Sequence, residues 1–159
     1  LYSSAASDVY KRQARQYAHE LDELDGWIRQ QLQRIPPQRR VLVTVHEAFG
    51  YFGRAYGMET AALQGVSTAA EFGLRDMVRI AELIERRQLP AVFVESTLPV
   101  RLMENVVEMA RLRGVPVRIA GTLFSDALGA PGSGAETYVG MMRTNVGRIV
   151  EGLSGGQLP

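Results

Sequence analysis

Between residues 14 and 35 the apolar side chains Tyr17, Leu21, Leu24, Ile28, Leu32 and Ile35 recur at intervals of three and four. That spacing lines one face of a helix. The positions between them carry Glu20, Asp22, Glu23, Arg29 and Gln33, so residues 14–35 read as an amphipathic helix. Pro36-Pro37 stops it, because proline lacks an amide donor and disfavours helix in the residue before it. The pattern then changes. Residues 39–45 read as a strand, β-branched and apolar enough to be covered on both faces. Residues 47–56 fit a short helix closed by Gly57 in a left-handed cap, and residues 60–66 a weaker strand.

Strand and helix patterns continue to alternate. Thr68 and Glu71 have capping-box spacing, but Gly73 delays the helix to about Leu74. Its predicted inward face is Leu74, Met77, Val78, Ala81 and Ile84. Residues 91–95 (AVFVE) form a short apolar strand. Residues 99–113 form a helix turning Leu102, Val106, Met109 and Ala110 inward, with Gly114 behind it. Residues 116–120 give a further strand. Ser133 and Glu136 form a second capping box, predicted to open a helix that runs to about Leu153. Alternating strands and helices imply parallel pairing through crossovers. The expected fold class is therefore α/β: a single lobe with a roughly four-stranded parallel sheet flanked by helices.

Composition narrows the function only by exclusion. The chain has 159 residues, 46% hydrophobic and 22% charged, with net charge +1, ordinary for one globular domain. Lys11 is the only lysine and the arginines are scattered, so there is no basic stripe of the kind that binds nucleic acid. With no cysteine, disulfides and thiolate metal sites are excluded. No apolar run approaches the length of a membrane span. Residues 3–13, SSAASDVYKRQ, resemble the in-frame translation of a transposase-type sequencing adaptor; the plainer alternative is a polar N-terminal tail. Residues 1–13 are accordingly set apart as a non-native tail, with natural sequence expected from about Ala14.

Three polar residues fall where the predicted strands end, the edge at which open parallel sheets bind ligands. They are His46 after the first strand, Glu95 closing AVFVE, and Asp126 in the loop after the last strand. One imidazole and two carboxylates there suit a divalent cation. Imidazole favours zinc or another transition metal, and carboxylate also suits manganese. Each residue also has a structural reading: a hydrogen-bonded histidine, a carboxylate paired with arginine or capping a helix, a turn-forming aspartate. His46-Glu47 lacks the second histidine of a zinc-protease helix. Ser96 is not in a nucleophile elbow. GAPGSGAET offers glycines but no lysine to a phosphate.

Taken together, VTVHEAFGYFGRAYG, AVFVES and LFSDALG…GAETYVGMMRTNV resemble the C-terminal lobe of the zinc/manganese solute-binding proteins of ABC transporters. The similarity runs from about Tyr17 to Leu153. The resemblance implies two α/β lobes joined by one long helix, with the metal held in the cleft between them. It implies that residues 14–36 are the end of that connector, residues 37–153 the metal-binding lobe and residues 154–159 a tail. It makes His46 the third metal ligand and Asp126 the fourth, the first two being histidines of a missing N-terminal lobe. Glu95 matches a family position and is expected to accept the other imidazole N–H of His46 and so fix its tautomer.

His19, on the connector, is expected to face solvent. A histidine at the third ligand position tips the expected ion towards Zn2+, with Mn2+ the alternative. The implied function is capture without catalysis: a monomer, in the periplasm or on the outer face of the cytoplasmic membrane, handing the ion to an ABC permease. Two other readings stay open. One is a metal-dependent hydrolase using His46 and Asp126 around a bound water. The other is a surface adhesin or interaction module, which predicts an exposed apolar patch away from the cleft edge.

Overall fold

A computed structural model describes residues 2–64 and 73–155, with side chains from Ser7 onward. Helix α1 spans Tyr2–Leu32. A single 3-10 turn at Pro37–Arg39 leads into β1, Val41–His46, and α2, Gly50–Tyr56. Then follow β2, Glu59–Gln64; α3, Leu74–Arg87; β3, Ala91–Glu95; α4, Arg101–Leu112; β4, Arg118–Leu123; and α5, Tyr138–Leu153. The α/β alternation expected from the sequence is present.

The four strands form two parallel pairs rather than one continuous hydrogen-bonded sheet: β1 with β2 and β3 with β4. β1 and β3 are neighbours, so the strands lie side by side in the order β2-β1-β3-β4. A register shift at Val92/Phe93 sets Phe93 opposite Gly121 and Glu95 opposite Leu123. This inserts one extra residue into β4, as a β-bulge does.

Side chains alternate across a strand, and the two faces of this layer have separate cores. Val41, Val43 and Val45 of β1, with Val92 and Val94 of β3, pack against Ile80, Ala81 and Ile84 of α3 and Met103, Val106 and Ala110 of α4. Leu42 of β1, with Ala91 and Phe93 of β3, packs on the other side against Leu24 and Ile28 of α1 and Val146 and Ile149 of α5. By parity His46 shares a face with Leu42 and Thr44, and Glu95 shares one with Ala91 and Phe93. Both therefore belong to the α1/α5 side.

Several boundaries differ from expectation. α1 is unbroken from Tyr2, so residues set apart as a tail form its first turns. Its stripe is buried only from Leu24 onward; Tyr17 is exposed. α2 begins three residues late because Glu47 N still donates to Gln64 O in the strand ladder. Gly57 ends it at φ +68°. The Thr68–Glu71 capping box and the end of the second expected strand lie outside the described residues. α3 is capped instead by Asp76, whose carboxylate accepts from Gly73 N at 3.1 Å. Leu74 is exposed, and Ile80 and Leu83 join the buried face in its place. Ser133 and Glu136 do not open α5. Thr137 does, accepting from Gly140 N at 3.1 Å, since Gly134 at φ +77° breaks any helical path before it.

Candidate functional site

The site forms where β1, β3 and β4 end. His46 closes β1 and is 6% exposed, while Glu95 closes β3 and is 2% exposed. The Glu95 carboxylate occupies the gap between the two strand pairs. Val45 N donates to Oε2 and His46 N donates to Oε1, each at 3.0 Å. His46 Nδ1 also lies 3.0 Å from Oε1. One buried side chain thus stands in for a missing strand-to-strand ladder and grips the imidazole as well.

These contacts oppose each other electrostatically. Burial raises the Glu95 carboxyl above its ordinary value, and the two backbone N–H donors with the His46 ring pull it back. An ionised carboxylate only accepts hydrogen bonds. Facing an ionised Glu95, Nδ1 is the donor of this pair, and in a neutral ring Nε2 is then the nitrogen that accepts.

Nε2 lies 3.5 Å from Asp126 Oδ2. Asp126 sits on the loop after β4 with its side chain 61% exposed, and Ser125 Oγ donates to the same oxygen at 3.3 Å. The three residues singled out from the sequence are therefore brought together as a chain, Glu95–His46–Asp126. Glu47, next to His46 in sequence, turns elsewhere and accepts from Thr60 Oγ1 at 3.2 Å. His19 is exposed on α1, 3.6 Å from Glu23.

The distance between Nε2 and Oδ2 has chemical meaning. A tetrahedral ion with donors at about 2.1 Å holds any two of them about 3.4 Å apart. The observed 3.5 Å fits one ion bridging both atoms. Among the described residues, no cluster of three or more His, Cys, Asp and Glu side chains is arranged around a single ion position. Beside the site runs an open groove lined by Phe49, Phe52, Phe124, Tyr138 and Met141.

Sequence reasoning missed Asn145. It is 3% exposed and bonds the backbone of Phe124, at the root of the Asp126 loop, in both directions. The signal was available. Met141, Asn145 and Ile149 follow one another at intervals of four, so an amide stands in the middle of an apolar stripe.

An α/β lobe with an imidazole and two carboxylates gathered at the carboxyl edge of its strands defines a ligand-binding class of protein rather than a specific one. Comparison with known proteins supplies the rest. Residues 2–152 match the family described as ZnuA, zinc-uptake complex component A periplasmic, and the chain belongs to that family, whose members are solute-binding proteins rather than enzymes. It is 49% identical over 138 residues to the zinc-binding protein TroA of Treponema pallidum (strain Nichols), covering 87% of this chain and 45% of that one. It is 42% identical to the manganese-binding lipoprotein MntA of Bacillus subtilis (strain 168), covering 92% and 48%. The solved structure of the periplasmic zinc-binding protein TroA from Treponema pallidum superposes with a TM-score of 0.86 at 46% identity, covering 91% of this chain and 52% of that one. The chain spans about half the length of the curated relatives it matches.

Proposed function

We propose that this chain is the C-terminal lobe of an extracytoplasmic metal-capture protein that delivers its ion to an ABC permease. His46 Nε2 and Asp126 Oδ2 supply two of the ligands, and a preceding lobe supplies the others. On this view residues 14–36 end the helix connecting the lobes, and residues 37–153 form one jaw of the clamp. The observation that carries the proposal is the 3.5 Å pairing of Nε2 with Oδ2, with the opposite ring nitrogen tied to buried Glu95.

Relatives named for zinc and for manganese both match, so the choice of ion rests on the donor set. An imidazole at this position replaces a hard oxygen with a borderline nitrogen, which favours Zn2+ over Mn2+. Glu95 holds the ring in the tautomer that presents Nε2, a task usually worth about ten- to a hundredfold in metal affinity. Because a bound imidazole must be unprotonated, a proton on Nε2 competes with the ion, and acid releases the cargo.

Calorimetric titration of the two-lobed protein with Zn2+ and with Mn2+ tests this. His46→Ala and Asp126→Ala are each expected to weaken zinc binding more than tenfold, and zinc is expected to bind more tightly than manganese in the wild type. Unchanged zinc affinity in either variant would remove that residue from the site. Tight zinc binding by the present chain alone would contradict the shared clamp.

A further inference from the structure

The free edge of β4 shows how Asp126 is kept in place. Backbone groups along a strand address its two edges alternately. On the β3 side, Leu123 O accepts from Ser96 N at 3.2 Å, so Thr122 and Phe124 face the opposite edge, where no strand pairs with β4 among the described residues. Side chains of α5 take that place. Phe124 N donates to Asn145 Oδ1 at 2.9 Å, and Asn145 Nδ2 donates to Phe124 O at 2.8 Å. This is the two-way exchange a neighbouring strand residue would make. Arg148, three residues on, donates to Thr122 O, and its guanidinium lies over the Phe124 ring, 5.3 Å from the centroid.

The carboxamide supplies both halves of this clasp from separate atoms, Oδ1 accepting and Nδ2 donating. Aspartate would set an oxygen against Phe124 O, and leucine would leave both backbone groups without a partner. Asp126 follows two residues later on a largely exposed loop, where Ser125 Oγ donates weakly to it and His46 Nε2 lies 3.5 Å away. We propose that Asn145 is the positioning residue for Asp126: by fixing the backbone at Phe124 it holds the carboxylate where it can share an ion with His46 Nε2. This role rests on Asp126 being a metal ligand, as proposed above.

The test uses the two-lobed protein, Zn2+ as the probe, and four forms: wild type, Asn145→Leu, Asp126→Ala and the double variant. In Asn145→Leu the Phe124 amide is expected to exchange with solvent at least about tenfold faster, and zinc affinity to fall about ten- to a hundredfold. On the Asp126→Ala background the same substitution is expected to change zinc affinity by less than about twofold, because the group it positions is gone. Asn145→Ser, which keeps one polar atom but not the clasp, carries the same test if the leucine variant does not fold. An equal loss on both backgrounds would make Asn145 a merely structural residue and overturn the proposal, as would wild-type protection of the Phe124 amide. Wild-type zinc affinity in Asp126→Ala alone would overturn the metal role of Asp126 itself and this role with it, a result distinct from the other two.

Discussion

The two arms of the site are built by opposite means. His46 is the last residue of a strand buried along its whole length, and strand parity plus a buried carboxylate fix its ring. Asp126 is exposed on a loop, suspended from α5 through Phe124. The first arm is costly to disturb because its polar groups have no water to fall back on. The second can change without harm to the fold, since its carboxylate already sits in solvent. The proposed site thus has one stiff wall and one adjustable finger.

Glu95→Ala should break the stiff arm and have the largest effect on stability. It strands two buried backbone donors and the imidazole, and should lower unfolding free energy by about 3–5 kcal/mol, read from the denaturant midpoint. A loss under about 1 kcal/mol would mean water readily replaces the carboxylate.

Gly152→Ala tests the seat of the other arm. A Cβ there would meet Ala120 Cβ and Phe93 Cζ at 2.8 Å, so the packing between α5 and the strands must shift. The expected cost is about 1–3 kcal/mol, with faster exchange at the Phe124 amide. Exchange unchanged despite that cost would uncouple the seating of α5 from the loop.

The helix following the stiff arm carries its own pH signature. The Tyr56 phenol is raised from 10.0 to about 12, first by burial and then by the nearby Asp25 carboxylate. A raised folded-state value means stability that is complete below pH 10 and lost as pH climbs through 12. Tyr56→Phe should remove that part of the alkaline loss. Difference ultraviolet titration of the two proteins should find the missing phenolate in the same window, and a phenol titrating near 10 would refute it.

Asp126→Ala should have the smallest effect on stability, within about 0.5 kcal/mol, while still costing metal affinity. A larger destabilisation would place Asp126 in the same class as Glu95 and erase the contrast between the arms.

Much of this was legible in the chain. The stripe Leu24, Ile28 and Leu32 is a property of a single helix, AVFVE of a single strand, and both matched because each packs a face whose period is set locally. Where neighbours decide the outcome, local signals failed. Ser133 and Glu136 have capping-box spacing, but Gly134 takes the chain out of helical conformation, so Thr137 caps α5. Leu74 fits the apolar period of α3 yet stands in solvent at its first turn. Asn145 was passed over because an amide in an apolar stripe has no meaning until the strand edge it serves is known.

The amino-acid order by itself determined that strands alternate with helices, that His46, Glu95 and Asp126 fall at strand ends, and that this chain supplies no thiolate. Only the tertiary structure decided that Glu95 would bridge β1 and β3 by accepting from the backbone of Val45 and His46, and that Asn145 would complete the edge of β4. The physical reason is range. Periodicity and turn chemistry act over a few residues of one segment, whereas a hydrogen bond between residues 46 and 95, or 124 and 145, exists only once packing has brought distant segments together.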